Sequence, residues 1–320
     1  MPRRLASLPR RRFLVALAAV PVALLSACVA GSPTSGNGGG VVTQVVTAYG
    51  TVEVPAAPRR VVALGDTALD NTLALGVEPV GTLSSRGGDS VSSYLAAKVP
   101  DIALVGTVAE TNLEAVAAAG PDLILAPSGT SREEYEALTA IGPTVVPETA
   151  RLGDWESETR TIAAALGKEA EAERLLAGVE QRAEDIASRR PSDGTETAVV
   201  IRWMPAGPVI LSSELMPSRL LQLTGDRTVP AAELTGEPHS DPLSLENLGE
   251  IDADHIYLTT LNVDGKQALA AAEAQPAFAR LKAVQAGNVD VVDGDVWSSA
   301  TGPLAAAKVL DDIERFRTAA

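Results

Sequence analysis

Two stretches of this chain, Asn112–Ala126 (NLEAVAAAGPDLILA) and Ser244–Leu258 (SLENLGEIDADHIYL), spell the same short unit, one in each half. Each opens with Leu-Glu (Leu113-Glu114 and Leu245-Glu246), runs through a short helical stretch, and reaches an Asp (Asp122, Asp254) that leads an apolar strand. A unit found once per half predicts two similar α/β lobes, because a solenoid would need many closely spaced copies.

The segment between the halves, Asp154–Arg190, has the marks of a helical connector. Asp154 is placed to cap a first turn, Glu156 and Glu158 suit the positive end of the helix dipole, and Arg189, Arg190 and Pro191 form a cationic stop. Ala172, Leu175, Leu176, Val179, Ala183 and Ile186 keep one apolar stripe, while Ile162 and Leu166 fall on another phase, so a break is predicted near Gly167. At 320 residues, with 46% apolar and 21% charged, the chain can fill two cores.

The N-terminus has a different character. Arg3, Arg4, Arg10, Arg11 and Arg12 precede an apolar run from Phe13 to Ala27, the layout of an export signal and too short for a stable membrane span. Leu25-Ser26-Ala27-Cys28 resembles the bacterial lipoprotein signal, in which the Cys is lipidated and becomes the new N-terminus. Cys28 is the only cysteine, so no internal disulfide competes for it. Arg10-Arg11-Arg12-Phe13-Leu14 also resembles a twin-arginine export signal, and both export routes stay open. Gly31–Gly40 (GSPTSGNGGG) is a flexible tether; its glycines follow no strand and open no helix, so they do not form a phosphate-binding loop. The predicted division is 1–27 signal peptide, 28–40 lipidated Cys and tether, 41–153 N-terminal lobe, 154–190 connector and 191–320 C-terminal lobe. The expected location is outside the cytoplasmic membrane, held there by lipid alone. Loss of the five leader arginines leaves 21 Lys+Arg against 41 Asp+Glu, a formal charge of −20. Such a body repels nucleic acid, and an anionic ligand would need a local group of arginines.

Within the first lobe, Val41–Val54 reads as a hairpin around Tyr49-Gly50. Arg60–Leu64 follows as a buried strand, Gly65–Thr67 as a loop, and Ala68–Leu75 as a helix stopped at Gly76. The second lobe restarts with a strand at Ala198–Met204, then a turn, a short strand at Val209–Leu211 and a helix near Leu215–Leu223. Alternating strands and helices favour mostly parallel sheets with flanking helices, and in such sheets ligands gather at the carboxyl ends of the strands. Asp66, Thr67 and Ser128 fall there.

Five features in order resemble the iron-siderophore and cobalamin binding proteins that serve bacterial ABC importers, the group with one rigid helix between its lobes. They are the lipoprotein leader, GTVEVPAAPRRVVAL, LALGVEPVG at 73–81, the two Leu-Glu units, and RLKAVQAGNVDVVDGDVW near the end; together they span nearly all of 41–315. The resemblance implies a two-lobed periplasmic-binding-protein fold and a monomer that delivers a ferric siderophore to a permease and its ATPase. It also implies that Glu114 and Glu246 dock into arginine pockets of that permease, two carboxylates held apart on a rigid body giving orientation as well as attraction. A ferric siderophore calls for flat aromatic walls and arginines that pair with its oxygens. The expected cleft residues are Asp66, Arg86, Tyr94, Ser128, Arg202, Trp203, Arg219 and Trp297, with Trp297 in a late loop. Asp66 stands where aromatic-rich relatives would place an aromatic contact.

Haem or cobalamin on the same architecture is the nearest alternative. A bare metal ion would need several His and carboxylate ligands, and the chain has only His239 and His255. An exported two-domain enzyme is the alternative of another class; the sequence contains no G-x-S-x-G elbow, no H-E-x-x-H and no cysteine free to act as nucleophile. No catalytic residue, metal site or cofactor is expected.

Overall fold

The computed structural model describes residues 41–190 and 194–318. The predicted signal, Cys28 and the tether lie outside these residues.

The first lobe begins with the hairpin β1 (Val42–Thr47) and β2 (Gly50–Pro55), paired antiparallel with Thr47 opposite Gly50. Then follow β3 (Val61–Ala63), α1 (Asp66–Ala74), β4 (Gly81–Ser84), α2 (Ser93–Ala96), β5 (Ala103–Thr107), β6 (Glu110–Thr111), α3 (Leu113–Ala118), β7 (Leu123–Leu125), α4 (Arg132–Thr139) and β8 (Thr144–Val145). Their sheet has the order β6-β5-β4-β3-β7-β8, parallel except for the edge strand β6. The central strands β3, β4 and β7 are buried along their whole length, as expected of a parallel sheet covered on both faces. Gly65, at φ 92, makes the turn after β3 without a loop, so Asp66 and Thr67 belong to the first turn of α1 and not to the loop expected from the sequence.

The connector is two helices, α5 (Trp155–Leu166) and α6 (Glu169–Arg189). Gly167, at φ 65, ends α5 in the left-handed conformation, and its N–H is bonded back into the last turn. Ile162, Ala163, Leu166 and, from α6, Ala172 fill the first lobe's core beside Leu69 and Leu123. Farther along α6, Leu176, Ala183 and Ile186 enter the second lobe's core beside Leu220 and Val309. One continuous helix thus has its start in one core and its end in the other.

The second lobe contains β9 (Thr197–Met204), β10 (Gly207–Ile210), α7 (Met216–Leu223), β11 (Arg227–Thr228), short 3-10 turns at Pro230–Ala232 and Leu245–Ile251, β12 (His255–Thr259), α8 (Val263–Glu273), α9 (Pro276–Ala279), α10 (Lys282–Ala286), β13 (Val289–Val291), α11 (Gly294–Ser298) and α12 (Pro303–Thr318). The sheet order is β10-β9-β12-β13, with β11 beside the start of β9 and only β10 antiparallel. Side chains alternate along β9. Ala198 and Val200 face the core under α6, α7, α11 and α12, and Val199, Ile201 and Trp203 face the core on the other side. The two lobes are therefore parallel-rich α/β layers, and the repeated Asp does the same task in each. Asp122 accepts the backbone N–H groups of Arg59 and Arg60 at the head of the neighbouring strand, and Asp254 accepts that of Thr197.

Candidate functional site

The carboxyl ends of both sheets face a cleft, and one side chain from each lobe dominates it. Arg86 stands in the exposed loop after β4. Arg202 lies near the end of β9, and the alternation of that strand sends it to the face of Ala198 and Val200, where it emerges beyond Leu211 and Leu215. Both arginines line a cavity of about 340 Å³ with Trp203, Met204, Pro205, Leu261 and Asn262. Both also line an adjoining cavity of about 220 Å³ with Leu215, Pro238, His239, Ser299 and Thr301. Burial, and then the Arg86 guanidinium, lower the pKa of Arg202. Its Nε is buried without an acceptor, and among the described residues neither guanidinium forms an ion pair. His239 directs Nδ1 to the backbone carbonyl of Ser240 at 2.8 Å.

The remaining expected residues are distributed differently. Asp66 is buried at the head of α1, accepting the Ser92 hydroxyl at 2.6 Å and the backbone N–H of Arg86; burial raises its pKa against those bonds. Asp66 thus holds the Arg86 loop from behind. Tyr94 donates its hydroxyl to Asp70 at 2.8 Å, and Ser128 donates to Glu158, whose pKa burial raises. These three belong to the junction at the base of the lobes, where Thr67 and Thr301 also meet at 3.0 Å and Ser93 donates to Asp293 at 2.6 Å.

Both tryptophans correct the expectation of aromatic walls. Trp297 is in α11 and not in a loop. It is fully buried, stacked on Tyr257 with ring centres 4.7 Å apart, and its indole N–H is bonded to Asp312 at 2.9 Å. Trp203 is 2% exposed and packs edge-on against Phe278. Each borders a cavity, but neither offers a ring face to a ligand. Arg219, on α7, lies in a separate groove of about 410 Å³ between α5, α6 and α7, paired with Glu156 at 3.2 Å. That groove is larger, yet its cations are neutralised, as Arg160 is by Glu173. Arg86 and Arg202, neither of which forms an ion pair among the described residues, both line the cleft.

Sequence reasoning missed the lining supplied by Met204, Pro205, Leu211, Leu215 and Leu261, and it missed an aromatic cluster packed on the first lobe's core. Tyr49 stacks on Tyr135 at 4.4 Å, with Arg132 over the Tyr49 ring at 4.8 Å and the Tyr49 hydroxyl donating to the Thr130 carbonyl beyond β7. The tight turn around Tyr49-Gly50 was the available signal.

Glu114 and Glu246 are both exposed in the first turn of a short helix, each after an exposed leucine, Leu113 and Leu245. Glu114 follows the edge strand β6, with the Asn112 N–H bonded to the Val105 carbonyl of β5, and Glu246 follows a segment laid beside the edge strand β10, with the Leu243 N–H bonded to the Pro208 carbonyl. His255, at the head of β12, is held neutral, its pKa lowered to about 4 by burial and by Arg317.

Comparisons with known proteins agree with this architecture. The chain is 29% identical over 307 residues to the probable siderophore-binding lipoprotein YfiY of Bacillus subtilis, covering 92% of this chain and 94% of that protein. It is 28% identical over 255 residues to the Fe(3+)-citrate-binding protein YfmC of the same organism, covering 79% of each. The crystal structure of Staphylococcus aureus SirA complexed with staphyloferrin B superposes with a TM-score of 0.75 at 26% identity, covering 85% of this chain and 97% of that one. The Periplasmic binding protein family matches residues 61–296, and with that span of its two lobes the chain belongs to this family.

Proposed function

We propose that this protein captures a ferric siderophore in the cleft between its lobes and presents it to an ABC permease, whose ATPase supplies the energy. The observation that carries this reading is the pair of unpaired guanidiniums, Arg86 and Arg202, brought from different lobes to the wall of one cavity of about 340 Å³, a volume suited to a small-molecule ligand. The names of the relatives support the cargo: YfiY is a probable siderophore-binding protein and YfmC an Fe(3+)-citrate-binding protein. In this reading the chain carries out no reaction. It acts as a monomer, exported and attached to the outer face of the cytoplasmic membrane by lipid on Cys28, and makes no contact with nucleic acid. α6, seated in both cores, permits only a small closure on binding.

Glu114 and Glu246 are the docking residues of this reading, supported by their exposure and matching positions at the two sheet edges. The test is uptake of radiolabelled iron, supplied as ferric chelates, by source cells lacking the chain. Wild type restores uptake, whereas the Glu114→Ala, Glu246→Ala double variant binds the chelate and does not restore it. Unchanged uptake of every ferric chelate in the deletion strain would refute the function.

A further inference from the structure

We infer that the cleft is built for an anionic ferric chelate with outward-facing carboxylates, of the citrate or α-hydroxycarboxylate class, and not for a neutral or cationic trihydroxamate chelate. This rests on the proposed function and narrows it to one cargo class.

Charge separates the candidate chelates first. The chain carries 41 acidic against 26 basic side chains, yet among the described residues none of those acids forms an ion pair with Arg86 or Arg202. The other buried arginines, Arg190 and Arg317, are neutralised by Asp226, and Arg160 and Arg182 are paired with Glu173 and with Asp311 and Glu314. Arg59, Arg60, Arg132, Arg227 and Arg280 form no ion pair among the described residues either, but each is exposed and lines neither cleft cavity. Two like charges facing one another, one of them buried with an unsatisfied Nε, are unfavourable in the empty protein. A bound anion removes both penalties at once. A neutral chelate would leave the repulsion in place and would bury Arg202 more deeply.

Shape selects among anions. A guanidinium is a planar fork that matches a carboxylate with two parallel hydrogen bonds. A tris-catecholate directs its oxygens at the iron and presents aromatic rims, which call for aromatic walls. Beside the polar Asn262, His239, Ser299 and Thr301, the lining near the two arginines is apolar but without a Phe, Tyr or Trp ring face, from Met204, Pro205, Leu215 and Pro238, and the indoles of Trp203 and Trp297 are packed away. Asp66 fixes the Arg86 loop through its backbone N–H, so one half of the clamp is held in place before the ligand arrives.

The test is calorimetric titration of the purified full chain with ferric citrate, a ferric linear trihydroxamate and ferric tris-catecholate, each at low and high salt. Ferric citrate is expected to bind most tightly and to weaken with salt. Arg86→Ala and Arg202→Gln should each lower that affinity about ten- to a hundredfold, and Arg202→Lys should fall between, since it keeps the charge and loses the fork. Arg160→Ala serves as a surface control, and thermal melting checks each variant. If Arg202→Gln fails to fold, Arg86→Ala, in an exposed loop, and the salt dependence still decide. Tightest binding of the trihydroxamate, indifferent to both arginines, would overturn this inference and leave ferric-chelate capture standing. Tightest binding of the tris-catecholate would overturn the carboxylate assignment. Binding of no ferric chelate would overturn this inference and the proposed function together.

Discussion

Asp70, in the first lobe's α1, accepts the backbone N–H of Ala305, in the second lobe's α12, at 2.8 Å. Its other oxygen accepts the N–H of Leu304 at 3.0 Å, and Tyr94 donates its hydroxyl at 2.8 Å. Since α12 starts at Pro303, these are the N–H groups that a capping side chain normally satisfies. The residue before it, Gly302, has no side chain, and any Cβ there would overlap the Asp70 carboxylate. A carboxylate from one lobe thus caps a helix of the other, which pins the junction beneath the cleft.

Removing that cap should be costly. Asp70→Ala orphans two helix N–H groups and the Tyr94 hydroxyl, and it should lower stability by about 2 to 4 kcal/mol in a denaturant titration. A loss under about 0.5 kcal/mol would show that the lobes are held elsewhere.

The same carboxylate sets a pH dependence. Burial, outweighing its three hydrogen bonds, pushes the pKa of Asp70 from 3.8 up to about 6. Between those values the folded chain holds a proton that the unfolded chain has lost, so this group's contribution falls as pH rises from 4 to 6, by at most ~3 kcal/mol. His255 acts with the opposite sign: its pKa drops from 6.5 to about 4, so stability is lost as pH falls through that range. Asp70→Asn should remove the first slope and expose the second, giving a variant that loses stability on acidification faster than wild type. Parallel pH profiles for the two proteins would contradict this.

At the far end of the second lobe, Asp226 is shared by Arg190 at 2.9 Å and by Arg317, all three side chains almost fully buried. The cluster ties the end of α6 to the end of α12. Asp226→Ala leaves two buried guanidiniums with the half-exposed Glu196 as their remaining carboxylate and, for Arg190, the Thr224 carbonyl, and should cost about 3 to 5 kcal/mol in thermal or denaturant unfolding.

Gly167→Ala tests the break in the connector. The left-handed φ of 65 disfavours any Cβ, and the Ala56 carbonyl would stand 3.2 Å from it, so a loss of about 1 kcal/mol is expected. Binding should survive, because Gly167 is remote from the cleft lining.

Several of these features were legible in the sequence for reasons of local chemistry. The Leu-Glu units, the helix break at Gly167 and the buried strand Val61–Ala63 are each written in consecutive residues. The site was legible only in part. Arg202 and Trp203 both looked like cleft residues, yet adjacent residues of a strand face opposite sides, so at most one could have joined Ala198 and Val200 on the face that opens to the cleft. The sequence puts Trp297 in a late loop, whereas Asp293, accepting the Asp295 N–H, starts a short helix there and turns the indole inward. Neither the pairing of Arg86 with Arg202 nor the cap from Asp70 to α12 has a local signature, since both join residues of different lobes.

The most direct test of ligand capture is a fluorescence titration of the purified full chain with coloured ferric chelates. Trp203 and Trp297 are buried beside the cleft, so a bound chelate quenches them through space without touching either ring. The account predicts quenching that saturates at one chelate per chain and weakens in Arg86→Ala. Quenching that rises without saturation for every ferric chelate, and is the same in wild type and variant, would contradict it.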